Sequence, residues 1–162
     1  MTTSFLGIPV DGEIVQSDRK PQRPLEEFSP ILQAVLDDPT IVEFGWRQYT
    51  PYFNDGDPCV FGAYGVWVRT DADEQDADQY DLEVDYHHPT LGRRPRAYNS
   101  GTREYEDEPY EGPDEARHDR CRALHEAVES GEFHDVLLEA FGDHAEVTVR
   151  REGIRVEFYS HD

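Results

Sequence analysis

Residues 41–70, IVEFGWRQYTPYFNDGDPCVFGAYGVWVRT, decide the fold class. From Ile41 to Tyr49 the chain alternates, with Ile41, Glu43, Gly45, Arg47 and Tyr49 on one side and Val42, Phe44, Trp46 and Gln48 on the other. A period of two is that of a β-strand, whose successive side chains point to opposite faces. Thr50 to Pro58 then gathers Pro51, Asn54-Asp55-Gly56 and Pro58, and Asp-Gly between apolar runs signals a hairpin. Cys59 to Thr70, rich in Val, Phe, Tyr and Trp, reads as the returning strand.

Outward from this pair, the spacing of Leu25, Phe28, Ile31, Leu32, Val35 and Leu36 predicts a helix over 25–38. Ser29 reads as the cap of its main part, with Pro30 in the first turn, and Asp38-Pro39 as its end. Residues 1–24 read as an irregular arm, and 25–162 as one domain. Residues 71–79, DADEQDADQ, read as a solvated acidic loop. Tyr80 to Tyr86 alternates Asp81, Glu83 and Asp85 against Leu82, Val84 and Tyr86, which predicts a half-exposed strand with an acidic face. Residues 87–113 show no period and read as a long loop. Helices are expected over 114–129 and 133–141, and strands over 144–151 and 154–160 with a turn at Glu152-Gly153. The sum is an α+β fold: an antiparallel sheet of four to five strands with flanking helices.

The chain has 162 residues, with 36 acids against 15 bases and a net charge of −21. That balance opposes a phosphate backbone or an anionic membrane and favours a basic protein partner, metal ions or simple solubility. Acidity also suits a high-salt cytosol. Lys20 is the single lysine. Two distant cysteines, Cys59 and Cys121, are no disulfide framework, so a reducing cytoplasm is expected. No charged and apolar leader and no apolar run of about 18 residues is visible, which predicts neither a signal peptide nor a membrane span.

The segment Phe44-Gly-Trp-Arg-Gln-Tyr-Thr-Pro-Tyr-Phe-Asn-Asp-Gly-Asp-Pro-Cys-Val-Phe61 resembles a group of uncharacterised bacterial and phage-encoded proteins with a Trp-x-Gln-Tyr-Thr-Pro-Tyr-Phe-Asn-Asp-Gly core. The tail, Phe141-Gly-Asp-His144 and then Gly153 to Tyr159-Ser-His-Asp162, is similar to the ending of that group. The resemblance implies a shared fold and a phage link, and no catalytic residue.

Several constellations carry chemistry. The acids cluster: residues 71–119 hold sixteen acids and five bases. In a strand, Asp81, Glu83 and Asp85 would form a row of carboxylates spaced by roughly 6.6 Å. With Glu106 and Asp107, that row could imitate a nucleic-acid backbone and occupy a basic groove on a nucleic-acid-binding protein. Tyr49, Tyr52 and Asn54 form a second, polar-aromatic patch, against the simpler role of core filling and turn. The leading expectation is therefore a non-enzymatic protein that binds and modulates a basic partner. An immunity-type protein for a basic toxin would use the same acids.

The alternative is a zinc or thiol enzyme. His118, Cys121 and His125 share a helix face by their three-four spacing, and Cys59, His87 or His88 could complete a tetrahedron. No paired Cys-x-x-Cys or His-Glu-x-x-His supports it. Asp71 to Asp78 lacks the glycine and glutamate of a calcium-binding EF-hand. The basic island Arg93, Arg94 and Arg96 either folds against the chain's own carboxylates or grips an acidic group. No Gly-x-Ser-x-Gly, P-loop or dinucleotide fingerprint is present.

Overall fold

The computed structural model describes residues 3–12, 19–52, 56, 58–85 and 87–161. Its elements are β1 (Thr3–Phe5), β2 (Ile8–Val10), α1 (Leu25–Leu36), β3 (Ile41–Tyr49), β4 (Gly62–Thr70), a 3-10 helix (Gln79–Leu82), β5 (Arg96–Asn99), β6 (Glu104–Asp107), α2 (Glu115–Glu129), α3 (His134–Phe141), β7 (Ala145–Arg150) and β8 (Gly153–Phe158). The main sheet has the order β4-β3-β7-β8, antiparallel throughout. The expected α+β architecture, with a four-stranded sheet and flanking helices, is present. No helix of the described residues is long and apolar enough to cross a membrane.

Two register shifts in the β3–β4 ladder decide which side chains enter the core. One lies at Val42, which bulges out and is exposed while Ile41 is buried, the reverse of a strict alternation. The other lies in β4, where Gly65 takes a φ of +67°. Phe44, Trp46 and Gln48 of β3, Val66 and Val68 of β4, and Ala145, Val147 and Val149 of β7 are all buried. With Phe28, Val35, Leu124, Val128, Phe133 and Leu137 from the helices they form one core. Phe28 meets Phe133 at 5.2 Å between ring centroids, and Trp46 meets Phe141 edge-on at 5.7 Å.

Gln48 is wholly buried within this core. Its Oε1 accepts from Trp46 Nε1 at 2.9 Å, and its Nε2 donates to the carbonyls of Leu137 at 2.9 Å and Gly142 at 2.7 Å. The C-terminal end of α3 is thereby tied to the central strand.

The opposite face of the sheet is covered by the acidic segment after β4, and here the sequence reading needs correction. Of the expected strand over 80–86, Tyr86 lies outside the described residues, and 80–85 instead form the end of the 3-10 helix followed by a single bridge, Trp67 to Glu83. Two arginines hold the segment down. Arg69 donates to the carbonyls of Glu74 at 2.5 Å and Ala77 at 2.9 Å, and its Nε pairs with Glu43 at 3.0 Å. Arg47 pairs with Glu83 at 2.9 Å and lies 4.3 Å from the Tyr80 ring centroid. Beneath the segment Leu82 and Trp67 are buried. Asp73 is a structural anchor: its carboxylate accepts from Thr70 N and from the Thr90 hydroxyl.

Three further differences follow from long-range partners. Helix α1 begins at Leu25, so Pro30 lies inside it and Ser29 is not its cap. Burying Phe28 against Phe133 extends the helix upstream, and Glu26 and Glu27 favour its N-terminal dipole. The 87–113 stretch contains the β5–β6 hairpin, closed at its base by a bridge from Arg93 to Glu111. The N-terminal arm contains the small β1–β2 hairpin, and at its far end Gln22 and Arg23 bond to the carbonyls of Gly131 and Glu132.

Candidate interaction surface

The β5–β6 hairpin is a two-stranded arm in which seven of the eight residues are exposed and Asn99 is half-buried. A hairpin alone is at best marginally stable in water, so its anchors matter. At its base Arg93 exchanges two backbone hydrogen bonds with Glu111, each 2.8 Å. Arg94 reaches across to α2, donating to Glu115 at 2.6 Å and to both oxygens of Asp119. Those bonds raise the Arg94 pKa, and the Arg94 guanidinium lowers that of Asp119. At the tip, Asn99 Oδ1 accepts from the amides of Gly101 and Thr102, and Arg103 sits at a positive φ of 59°. The basic island is thus committed to the chain's own carboxylates, Arg96 pairing with Asp107 at 3.3 Å.

On the arm Tyr98 and Tyr105 stand directly opposite, their rings edge to face at 5.3 Å, and both are exposed. Around them lie Glu104, Glu106, Asp107 and Glu108, all exposed. Glu106 accepts from Asn99 Nδ2 at 2.9 Å. The aromatic pair shares one face of the arm with the Arg96–Asp107 ion pair, Glu104 and Glu106 alternate onto the other face, and the arm stands away from the core. The sequence reading picked out Glu106 and Asp107 but missed the two tyrosines. Asn99-Ser-Gly101 between two tyrosine-bearing segments was the available turn signal.

The other acids do not join this surface as a row. Asp81 is exposed on the 3-10 helix, Glu83 is spent on Arg47, and Asp85 accepts from the amide of His87 at 2.7 Å. Because 80–85 is not a strand, Asp81, Glu83 and Asp85 do not form the even carboxylate spacing that would imitate a phosphate backbone.

Tyr49 and Tyr52 belong to a second cluster, built where the end of β3 meets the tail; Asn54 lies outside the described residues. Tyr52 stacks on His161 at 4.4 Å and on His144 at 4.9 Å, and Tyr49 meets His161 at 4.2 Å. His144 Nδ1 and His161 Nε2 are 2.7 Å apart, one donating to the other. Asp143 fastens the cluster by accepting from Thr50 N and the Thr50 hydroxyl. Burial raises its pKa, but the hydrogen bonds from Thr50 and from His144 N outweigh that and lower it. These contacts give Tyr49 a packing role and leave Tyr52 exposed on a stacked base.

The described residues of the zinc or thiol alternative have separate surroundings. Cys121 is wholly buried in the core, and burial pushes its thiol up to about 12, far from the thiolate a nucleophile or metal ligand needs. His118 Nδ1 is bonded to Asp119 at 3.1 Å and its ring lies 5.2 Å from Tyr110, while His125 pairs with Glu129 at 2.9 Å. His88 is a core residue: Nε2 donates to the Val68 carbonyl, and Nδ1 accepts from the amides of Thr90 and Leu91. Among the described residues, no group of three or more His, Cys, Asp and Glu side chains is placed to hold a metal ion.

Comparison with protein-family models, with curated proteins and with solved structures finds no match to this chain.

Proposed function

We propose that this is a non-enzymatic interaction protein whose β5–β6 arm enters a groove on a basic protein partner. The observation that carries the reading is the exposed Tyr98–Tyr105 pair on an arm whose second strand and its end bear four exposed carboxylates, on a hairpin that does not contribute to the core. Tyrosine supplies large contact area at small entropic cost and is enriched at binding hot spots. The net charge of −21 steers a basic partner toward the arm over long range. The same charge repels nucleic acid itself, so a nucleic-acid-binding protein, with its basic groove, is the class of partner this surface fits.

The test compares the unmodified protein with two variants as bait in nuclease-treated lysate of the natural host. One variant carries Glu104→Gln, Glu106→Gln, Asp107→Asn and Glu108→Gln on the arm. The other carries Asp71→Asn, Asp76→Asn and Asp81→Asn, which remove exposed charge elsewhere. A basic protein captured by the unmodified bait and the second variant, and lost with the first, supports the arm. Equal capture by all three sinks it. Glu83 is left intact because its loss would release Arg47 and test the fold instead of binding.

A further inference from the structure

We propose that β8 is a dimerisation edge, pairing antiparallel with β8 of a second copy so that two four-stranded sheets join into one of eight strands. In the order β4-β3-β7-β8, the outer edge of β4 is partly covered: Trp67 bridges Glu83, and Val84 N donates to the Val66 carbonyl at 2.8 Å. Among the described residues the outer edge of β8 has no such cover. All six of its residues are exposed, and among the described residues β7 is the only strand paired with it.

The strand carries an apolar stripe. Ile154, Val156 and Phe158 stand opposite Val149, Val147 and Ala145, on the face the helices cover elsewhere, yet they are 49%, 46% and 72% exposed. Natural edge strands are usually blunted by charge, proline or a bulge. Here the two charged residues between the apolar ones, Arg155 and Glu157, have opposite sign and flank Val156 symmetrically, pairing with each other at 2.8 Å in the single chain, a pair that would be exchanged for its equivalents across the two-fold axis.

That symmetry makes the strand complementary to itself. With a two-fold axis at Val156, Ile154 lies opposite Phe158 of the second copy, Arg155 opposite Glu157, and Val156 opposite its equivalent. Directly opposite residues share a face and interact, opposite charges favourably and like charges unfavourably. Moving the axis to Arg155 or Glu157 sets like charges face to face. An offset of one residue turns the apolar face of one copy to the polar face of the other. Charge and face therefore select the same register.

The chain's acid excess does not block this edge. Residues 150–158 hold Arg150, Arg151 and Arg155 against Glu152 and Glu157. Repulsion between the two acidic bodies acts over longer range and is screened by salt. The dimer therefore strengthens as salt rises, whereas capture of a basic partner by the arm weakens, so the two proposals fail separately.

Light scattering after size exclusion, on the full chain at low and moderate salt, tests the pairing. The expected result is twice the chain mass, more completely at moderate salt. Arg155→Glu and Glu157→Arg should each weaken the dimer by about tenfold or more, since each reversal turns two attractive pairs repulsive. Mixing the two single variants should restore it, because their 155–157 pairs are attractive only between copies while the pair that Arg155 and Glu157 make within one chain stays broken. Both positions are exposed, and circular dichroism verifies that each variant folds. A monomer at every concentration and salt, or a dimer indifferent to the single reversals, overturns the proposal.

Discussion

Trp46 and Gln48, two residues apart on β3, point to the same side and are hydrogen-bonded to each other inside the core, indole Nε1 to amide Oε1 at 2.9 Å. The other end of the amide satisfies two carbonyls at the end of α3. Every polar atom of this buried side chain has a partner, so the amide joins sheet to helix without an orphaned group.

Replacing Gln48 with Leu keeps the bulk, strands the Trp46 N–H and the Gly142 carbonyl, and removes the extra bond on the Leu137 carbonyl. Each orphaned buried group costs about 1–3 kcal/mol, so a loss of about 3 kcal/mol is expected. Urea denaturation of Gln48→Leu against the unmodified protein measures it. A loss below about 1 kcal/mol would mean that water or rearranged backbone replaces the amide.

Gly65 and Arg47 share one space. Gly65 has a φ of +67°, and a β-carbon there would overlap the Arg47 guanidinium. Gly65→Ala therefore meets both backbone strain and displacement of the ion pair with Glu83. A destabilisation of about 2 kcal/mol is expected from strain of this kind. It should be accompanied by faster proteolysis of 71–85, the segment that Arg47 helps to hold. Intact protection of that segment would show that Arg47 is dispensable to it.

Burial lowers the pKa of His88 below its usual value, although the Val68 carbonyl opposes the shift. The unfolded chain then binds the proton more readily than the folded one. The His88 contribution to stability is whole above about pH 6.5 and is lost as pH falls below that value toward the folded pKa. Denaturation midpoints between pH 7.5 and 5 should fall more steeply for the unmodified protein than for His88→Gln. Parallel profiles would refute this reading of the site.

Both cysteines are free, Cys59 half-exposed and Cys121 buried. A thiol reagent at mildly alkaline pH should label one cysteine in the native protein and two after denaturation. Cys121→Ser should leave the native signal unchanged while lowering stability. Two rapidly reacting native thiols would contradict the burial of Cys121.

The parts of the fold visible in sequence are those whose pattern is local. The helix stripes and the alternation in β7 follow from burial on one face. The 80–86 segment shows the limit of that logic. Leu82 and Val84 are buried as a strand pattern predicts. Alternation reports which side chains are covered, however, and not whether the backbone has a ladder partner. What covers them is set by Arg47 and Arg69, whose partners lie 36 residues and 5 to 26 residues away. The arm was illegible for the opposite reason: with both faces in water it has no apolar period to read. The bulge at Val42 likewise swapped which of two adjacent aliphatics is buried, a choice made by the strand alongside.

The position of β3 at the centre of the sheet has a consequence during synthesis. Its neighbour β4 follows at once, but Trp46 pairs with Val147 on the other side. At synthesis rates of about 5–20 residues per second, the second edge of β3 stands open for roughly 5–20 seconds on the ribosome. About half of the chain made during that interval is the acidic stretch from Asp71 to Asp119, so each nascent chain carries its like-charge repulsion while its most template-like strand is bare.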